Sequence, residues 1–409
     1  MTRRNEIALP QGFARLAWSN LAAQSAEQIA LAAAPILAVL ALGAGAGETG
    51  LLQTAQTLPF LLLAIPAGLL ADRMARRRLM ASAEALRAAS LFTILALAFC
   101  GGLSLPLLAI LGFLGACGTV AYGVAAPALV PSLVPAEALT RANGRIELAR
   151  TIAFTAGPAL GGMLVGWAGG EPAFALAAML SGGAVLLLAG LREPARPPAA
   201  RRNAMAELRE GVAFVARHPL LMPIFLTQFV FNAAFFVLQA VYVPYAAQKL
   251  GLSASQIGVT LAFYGVGMVS GALLAPWLAR RLPFGAVIAI GPITGLVAAL
   301  VMVATIAVPS FALAALSFFL IGSGPLVWVI GTTTLRQAVT PRDLLGRVSA
   351  TSLVATGARP IGAAIGALVG GLYGPEVCLV LAAGGFLVQA LLILASPVPR
   401  LAQQPAMAT

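Results

Sequence analysis

Long apolar runs separated by short polar loops dominate this chain from residue 13 to residue 396. A bilayer core is about 30 Å thick and an α-helix rises about 1.5 Å per residue, so about 20 mainly apolar residues cross it. In hydrocarbon every backbone N–H and C=O must be paired inside the segment, which leaves the helix as the only solution for such runs. Twelve of them are present. The first six are Phe13–Leu42, Gly50–Ala71, Leu79–Gly101, Leu105–Leu129, Gly144–Trp167 and Phe174–Leu191. The second six are Leu220–Ala247, Ser255–Ala279, Gly285–Val308, Phe311–Leu335, Val348–Tyr373 and Val377–Ser396. Sixty percent of the residues are hydrophobic and 9% charged, against roughly 25% charged in a soluble domain. Mean hydropathy is +0.96. Disorder, a coiled coil and a secreted disulfide scaffold are excluded by the same figures. The expectation is an all-α membrane protein of twelve helices.

The net charge of +12 would suggest nucleic acid if it sat on a soluble face. Its distribution says otherwise. One residue is lysine and the other basic residues are arginines. Arg73, Arg76, Arg77 and Arg78 follow span two, and Arg141 and Arg145 follow span four. Arg192, Arg196, Arg201, Arg202, Arg209 and Arg217 lie between the sixes. Arg280 and Arg281 follow span eight; Arg336, Arg342 and Arg347 follow span ten; Arg400 lies in the tail. All share one side with the N-terminus. The opposite loops hold Lys249 with Glu48, Glu171 and Glu376. This is the positive-inside pattern. It predicts a multi-pass protein of the cytoplasmic (inner) membrane with both termini cytoplasmic. The bilayer is then the partner of the basic face, through anionic headgroups, and no nucleic acid is needed. Arg3, Arg4 and Arg15 precede a first run too long for a cleaved signal peptide, so it reads as a retained span.

The two sixes are related. Leu69–Arg77 matches Leu273–Arg281 at an offset of 204; Pro135 matches Pro341 at 206; Gly157-Pro158 matches Arg359-Pro360 at 202; Asn20 and Gln24 match Gln228 and Asn232 at 208. A parallel repeat of six spans implies two bundles with a pathway between them. The divisions are residues 1–191, a polar Arg/Pro/Ala-rich cytoplasmic linker at 192–219, and residues 220–409 with a short cytoplasmic tail. Met205–Arg217 within the linker has the make-up of a short surface helix.

Cys100, Cys117 and Cys378 fall in apolar segments without metal-like spacing and read as buried structural thiols. His218 is the one histidine, so neither a zinc site nor a histidine catalytic centre is expected. With no phosphate-binding Gly-Lys-Ser/Thr loop, ATP hydrolysis is not expected either. The chain reads as a non-enzyme with no cofactor.

After span two comes Gly68-Leu-Leu-Ala-Asp72-Arg73-Met-Ala-Arg76-Arg77-Arg78. One acid among four arginines can bridge helix ends, and arginine forks hold carboxylates in two-pronged fashion. Such bridges can keep a cytoplasmic gate shut; a solvated loop explains the arginines but not Asp72. The segment resembles the signature loop of the major facilitator superfamily, Gly-x-x-x-Asp-Arg-x-Gly-Arg-Arg, with Ala75 in place of the second glycine. In span five, Gly157-Pro158-Ala-Leu-Gly161-Gly162 resembles the Gly-Pro-x-x-Gly-Gly motif of its proton-coupled exporters, with Gly144 upstream and Ala153 replacing a glycine. Small residues permit close helix approach, and Pro158 removes a backbone hydrogen bond and bends the helix. An arginine within span four, carried by many proton-coupled members, is missing: Leu105–Leu129 has no basic residue, so proton coupling by that route is not expected. The linker, the start of span one and the Arg-rich loop look most like the branch of bacterial macrolide and enterobactin-type siderophore exporters.

Asn20, Gln24 and Glu27 are spaced by four and three and share one helix face. Glu27 lies near mid-membrane, where acids are expensive and face a partner or a wet cavity. It is either a proton carrier or a structural acid satisfied by Gln24, Gln28 or a neighbouring helix. Arg359 in span eleven lies at similar depth, which raises a Glu27–Arg359 pairing across the bundles. Gln228 and Asn232, with Gln239, form the matching stripe in span seven. Phe225, Phe229, Phe231, Phe235 and Phe236, with Tyr122 and Trp328, suggest an aromatic cavity suited to lipophilic or planar solutes; each taken singly is equally a core or lipid-facing ring. Glu84 with Arg87, and Glu147 with Arg150, read as local pairs near cytoplasmic helix ends, with a gate role as the sharper alternative.

The expected function is secondary transport by alternating access: proton-driven export of a small amphipathic molecule, of drug or siderophore type, by a chain acting as a monomer. An importer of a metabolite or lipid-like solute would share the fold. A sensor or assembly factor that moves nothing is the reading from another class.

Overall fold

The computed structural model describes residues 10–135, 138–194, 204–341 and 344–405. Among them secondary structure is helical throughout, with no strand. The first half holds α1 (Gln11–Leu40), α2 (Ala46–Leu62), α3 (Ala64–Arg73), α4 (Arg76–Phe99), α5 (Leu105–Leu133), α6 (Leu139–Ala168) and α7 (Glu171–Ala189). The linker helix α8 spans Ala204–Arg217. The second half holds α9 (Leu221–Gln248), α10 (Ala254–Arg281), α11 (Phe284–Ala304), α12 (Phe311–Val339), α13 (Leu345–Thr356), α14 (Ala358–Tyr373) and α15 (Pro375–Leu394). Ten of these are long and apolar enough to cross a membrane. The remaining two spans are broken pairs, α2–α3 and α13–α14, where continuous helices were expected over Gly50–Ala71 and Val348–Tyr373. Large apolar side chains such as Leu186, Leu273 and Leu368 stand exposed on the outside, as lipid-facing residues do.

Both breaks have a proline just beyond them, although α1, α5, α9, α10, α11 and α12 run unbroken through theirs. A helical proline lacks the N–H that the carbonyl four residues earlier needs, and its ring crowds that carbonyl. Pro66 disrupts the turn at Leu62 and Leu63; Pro360 disrupts the turn at Thr356 and Gly357. α6, by contrast, runs unbroken through Pro158. Its repeat partner differs three residues before the proline, where Gly357 stands in place of Thr155. The two breaks abut: a Cβ built on Gly357 would lie 2.8 Å from Leu61 Cδ1.

The repeat extends into the turns. Gly169 and Gly374 end α6 and α14 with φ of +83° and +88°, at an offset of 205; Gly43 and Gly251 follow α1 and α9 with φ of +69° and +65°, at an offset of 208. Only glycine enters this left-handed region without a steric penalty.

Each half packs mainly on itself, through α1 on α6 and α7 and α4 on α5 and α7 in one, and through α12 on α10 and α11 and α9 on α14 and α15 in the other. Two helix pairs carry most of the packing between the halves, α6 on α10 and α2 on α14, with α2 also meeting α9. Helix α8 lies against α13. Glu210 pairs with Arg347 at 2.7 Å, and Phe214 and Val215 pack with Leu221 and Val348.

Candidate functional site

A cavity of about 310 Å³ lies between the halves. Its first-half wall includes Glu27 and Gln28 of α1, Gln53, Gln56 and Phe60 of α2, Arg87 of α4, Thr119 of α5, and Arg150 and Phe154 of α6. Its second-half wall includes Phe231, Asn232, Phe235, Phe236 and Gln239 of α9, Tyr264 of α10, Phe318 of α12 and Arg359 of α14. Much of the lining is aromatic. Phe231 stacks on Phe235 at 5.7 Å, Phe235 on Tyr264 at 5.8 Å, and Tyr264 meets Phe154 of the other half at 6.2 Å.

The first-half wall carries a buried ionic cluster. Arg87 donates from Nη1 to Glu84 Oε1 at 2.6 Å and to the Ala23 carbonyl at 3.2 Å. Its Nη2 donates to Thr119 Oγ1 at 2.6 Å and stands 3.8 Å from Glu27 Oε2. Ser181 donates to Glu84 Oε2 at 2.8 Å. Glu84 is 0% exposed and Arg87 4%. The pair is thus deep in the bundle, not a snorkelling pair at a helix end. Arg87 is eleven residues along α4, roughly 16 Å from its start at 1.5 Å per residue. A depth count along the span would have placed it inside. Glu147 and Arg150 do form the expected local pair, at 2.9 Å and partly exposed.

The stripes divide. Glu27, Asn232, Gln239 and Arg359 reach the cavity, whereas Asn20 is buried below it and donates to the Ile146 carbonyl at 3.4 Å. Gln24 is not part of the lining. Gln228 lines a smaller cavity of about 210 Å³ with Phe225 and Trp328, and its carbonyl accepts from Asn232 at 2.9 Å. Tyr122 faces Ser19, hydroxyl to hydroxyl at 3.3 Å, away from the cavity. The Glu27–Arg359 pair does not form. Glu27 faces Arg87 of its own half, and Arg359 donates from Nε to Asn232 Oδ1 at 3.1 Å.

The span-five motif has two faces. A Cβ on Gly157 would lie 2.5 Å from Gln28 Cβ, and one on Gly161 2.8 Å from the Ile29 carbonyl, both on α1. A Cβ on Gly162 would lie 2.6 Å from Gly258 Cα of α10, in the other half. Pro158 lines the cavity. At the second junction, a Cβ on Gly47 would lie 3.0 Å from Gly371 Cα. Both junctions sit toward the end away from the arginine loops.

In the loop after span two, a carboxylate absent from the expected gate organises the turn. Glu193, just past α7, accepts the backbone N–H groups of Arg76 at 3.1 Å and Arg77 at 2.9 Å, at the N-terminus of α4. Arg76 also donates to the Ala128 carbonyl, and Arg77 to those of Ala189 and Leu191. These partners are in the first half. A Cβ on Gly68 would meet open space, and Arg73 is exposed. The Asp72 side chain lies outside the described residues, as do Arg342 and Asp343.

His218 caps α9: its Nδ1 accepts the N–H groups of Leu220 and Leu221 at 3.2 and 3.4 Å. Burial holds its pKa below the ordinary value of 6.5. Of the cysteines, Cys378 is buried, Cys117 half-buried and Cys100, just past α4, exposed, contrary to expectation; the helix ends at Phe99, two residues short of its apolar run.

The aligned region of the Tap multidrug efflux pump of Mycobacterium tuberculosis is 28% identical, over 65% of this chain and 65% of that protein. Macrolide efflux protein A of Enterococcus faecalis is 24% identical over 53% of this chain and 68% of its own length. The chain thus matches less than two thirds of the Tap pump's length. A crystal structure of a bacterial homologue of the iron transporter ferroportin, in an inward-facing state, superposes with a TM-score of 0.74 at 18% identity, covering 95% of this chain and 99% of that one. The family model described as Major Facilitator Superfamily matches residues 16–367, and this all-α protein of two six-span bundles belongs to that superfamily of transporters.

Proposed function

We propose that the protein is a proton-coupled exporter of small amphipathic compounds, working as a monomer by alternating access. The single observation that carries this is the buried Glu84–Arg87–Glu27 cluster on the wall of an aromatic cavity between the halves. Two acids share one arginine there, and Glu27 is the acid that faces the cavity at the looser distance of 3.8 Å. It is therefore the acid able to take up and release a proton without dismantling the cluster. The aromatic lining suits lipophilic solutes. The similarity to multidrug and macrolide efflux proteins supports export as the direction.

The arginine-rich loops face the cytoplasm in this reading, by the positive-inside rule. The glycine junctions then close the outer side, and rocking about them exposes the cavity alternately. Arg76 and Arg77, whose backbone N–H groups Glu193 holds, carry the cytoplasmic side of α4 and with Asp72 close it in the other state. Energy comes from the proton gradient, with no bound cofactor.

Replacing Glu27 by Gln is expected to abolish gradient-driven export of a lipophilic dye from a pump-deficient host, with the protein still inserted in the cytoplasmic membrane. Asp72→Asn, in the segment after span two, serves as a second variant expected to slow cycling. Undiminished dye export by the Glu27→Gln variant removes the proposed role.

A further inference from the structure

The ionic groups around the cavity are unevenly partnered. On the first-half wall, Arg87 stands between Glu27, which lines the cavity, and Glu84, which is buried behind it. Arg150 is matched by Glu147. On the second-half wall stands Arg359, which pairs with no carboxylate among the described residues. Its Nε is committed to Asn232 at 3.1 Å. Its two terminal nitrogens carry no hydrogen bond among the described residues.

The guanidinium is held between two rings. Its Cζ lies 5.2 Å from the Phe60 ring centroid and 5.4 Å from that of Phe236. Phe60 belongs to α2 and Phe236 to α9, so the rings reach it from opposite halves. Cation–π contacts of this kind fix a guanidinium without neutralising it. A cation in such a place is costly unless something pairs with it. The second unsatisfied group nearby is Gln56, whose buried Oε1 has no partner and which lines the same cavity. The wall therefore offers a two-pronged donor fork, flanking aromatic faces and a free acceptor.

We infer that Arg359 is a binding site for an anionic group of the transported molecule: a carboxylate or sulfonate attached to an apolar, planar body. The fork of Nη1 and Nη2 matches the two oxygens of such a group. The phenylalanines around it take the ring system, and Gln56 accepts a hydrogen bond from any donor on the body. This deepens the export reading by naming the substrate class, and rests on that reading only for the word substrate; the site itself stands on the geometry.

Three probes with one ring system separate the possibilities: 2-naphthoate, 2-naphthamide and 2-naphthylmethylammonium. Binding is measured by calorimetry on the full chain in lipid nanodiscs. The unmodified protein is expected to bind the naphthoate about tenfold more tightly than the amide, a difference of about 1.4 kcal/mol. Arg359→Gln should bring the two within about twofold by weakening the naphthoate more than the amide. Arg359→Lys keeps the charge but loses the fork and should retain part of the preference. Size-exclusion profile and melting temperature report whether each variant is folded. A preference for the ammonium probe, no binding of any probe at millimolar concentration, or a naphthoate preference that survives Arg359→Gln each overturns the assignment. Flux in proteoliposomes tests the other reading separately. Naphthoate bound but never moved leaves the anion site standing and ends the export proposal for this class of compound; probes moved without regard to charge do the reverse.

Discussion

Arg87 of α4 donates from Nη2 to the hydroxyl of Thr119 on α5 at 2.6 Å. Span four carries no basic residue of its own, yet a cation is pressed against it by its neighbour. This cation on the cavity wall comes from span three. The position of the guanidinium, not the helix that owns it, is what the cavity registers.

That placement makes Arg87 the pivot of the first-half wall. Replacing it by Met leaves Glu84 buried with Ser181 as its remaining side-chain partner, and removes the cation facing Glu27. Breaking a buried pair from one side costs about 3–5 kcal/mol. Arg87→Met is therefore expected to lower the melting temperature strongly and to stop dye export. The double variant Glu84→Gln with Arg87→Met removes the stranded charge, and should recover most of the melting temperature without recovering export. A single variant that melts like the parent would show the cluster to be slack.

Gly162 and Gly258 set how closely the halves approach. A Cβ on Gly162 would lie 2.6 Å from both Gly258 Cα and the Ala254 carbonyl, which are backbone and cannot swing aside. Gly162→Leu should hold α6 and α10 apart at the outer end and shift the population toward outward opening. A cysteine at Ser255, which abuts Gly166, in a chain stripped of Cys100, Cys117 and Cys378, reports this through an impermeant thiol reagent. Labelling is expected to accelerate at least severalfold in Gly162→Leu. Gly161 faces Ile29 inside its own half, so Gly161→Leu should lower folded yield instead, and equal labelling with and without Gly162→Leu would argue against the hinge.

Much of this architecture is legible in the residues. Apolar length gives the spans, arginine placement gives their sides, and the polar and turn landmarks give the repeat. The breaks at Leu63 and Gly357 were written in Pro66 and Pro360 as well, but the same rule applied to Pro158 would have broken α6, which is continuous. Whether a proline breaks or is absorbed depends on what its neighbours can offer, and the residue three before it is Gly357 at the α13–α14 break and Thr155 in the continuous helix. Pairing is less legible still. A Glu27–Arg359 pairing could be raised but not tested from the residues, because sequence gives depth along a helix but neither its rotation nor a distance. Glu193 was invisible for another reason: a carboxylate on a loop becomes a helix cap only once the chain has folded α7 beside α4.

Glu193 makes its own prediction. Its carboxylate takes two backbone donors at the start of α4, where the helix dipole also favours negative charge. Glu193→Ala should cost about 1 kcal/mol, concentrated in the first turn. Hydrogen exchange of the Arg76–Leu79 backbone amides is expected to speed up several-fold, while amides in the middle of α4 stay unchanged. Glu193→Gln keeps an acceptor and should fall between. Uniform acceleration along α4, or none, would show that the carboxylate does not act as a cap.

His218 gives the protein one pH-sensitive joint outside the membrane. Its Nδ1 accepts the N–H groups of Leu220 and Leu221 at the entry to α9, and the ring packs 5.6 Å from that of Phe214 on α8. Protonation turns that acceptor into a donor, and burial opposes the charge, so the folded pKa lies below the ordinary 6.5. The unfolded chain therefore takes up the proton first as pH falls. The stabilisation is complete above the unfolded value of 6.5, declines as pH falls from there through the folded pKa, and is gone below it. Melting temperature in nanodiscs should drop between pH 7.5 and pH 5 by more in the parent than in His218→Asn, because the Asn side chain accepts without titrating in that window. The parent and variant should converge above pH 7, where the imidazole is neutral in both states. Equal pH dependence of the two proteins would mean that the α8–α9 joint does not sense protonation at this ring.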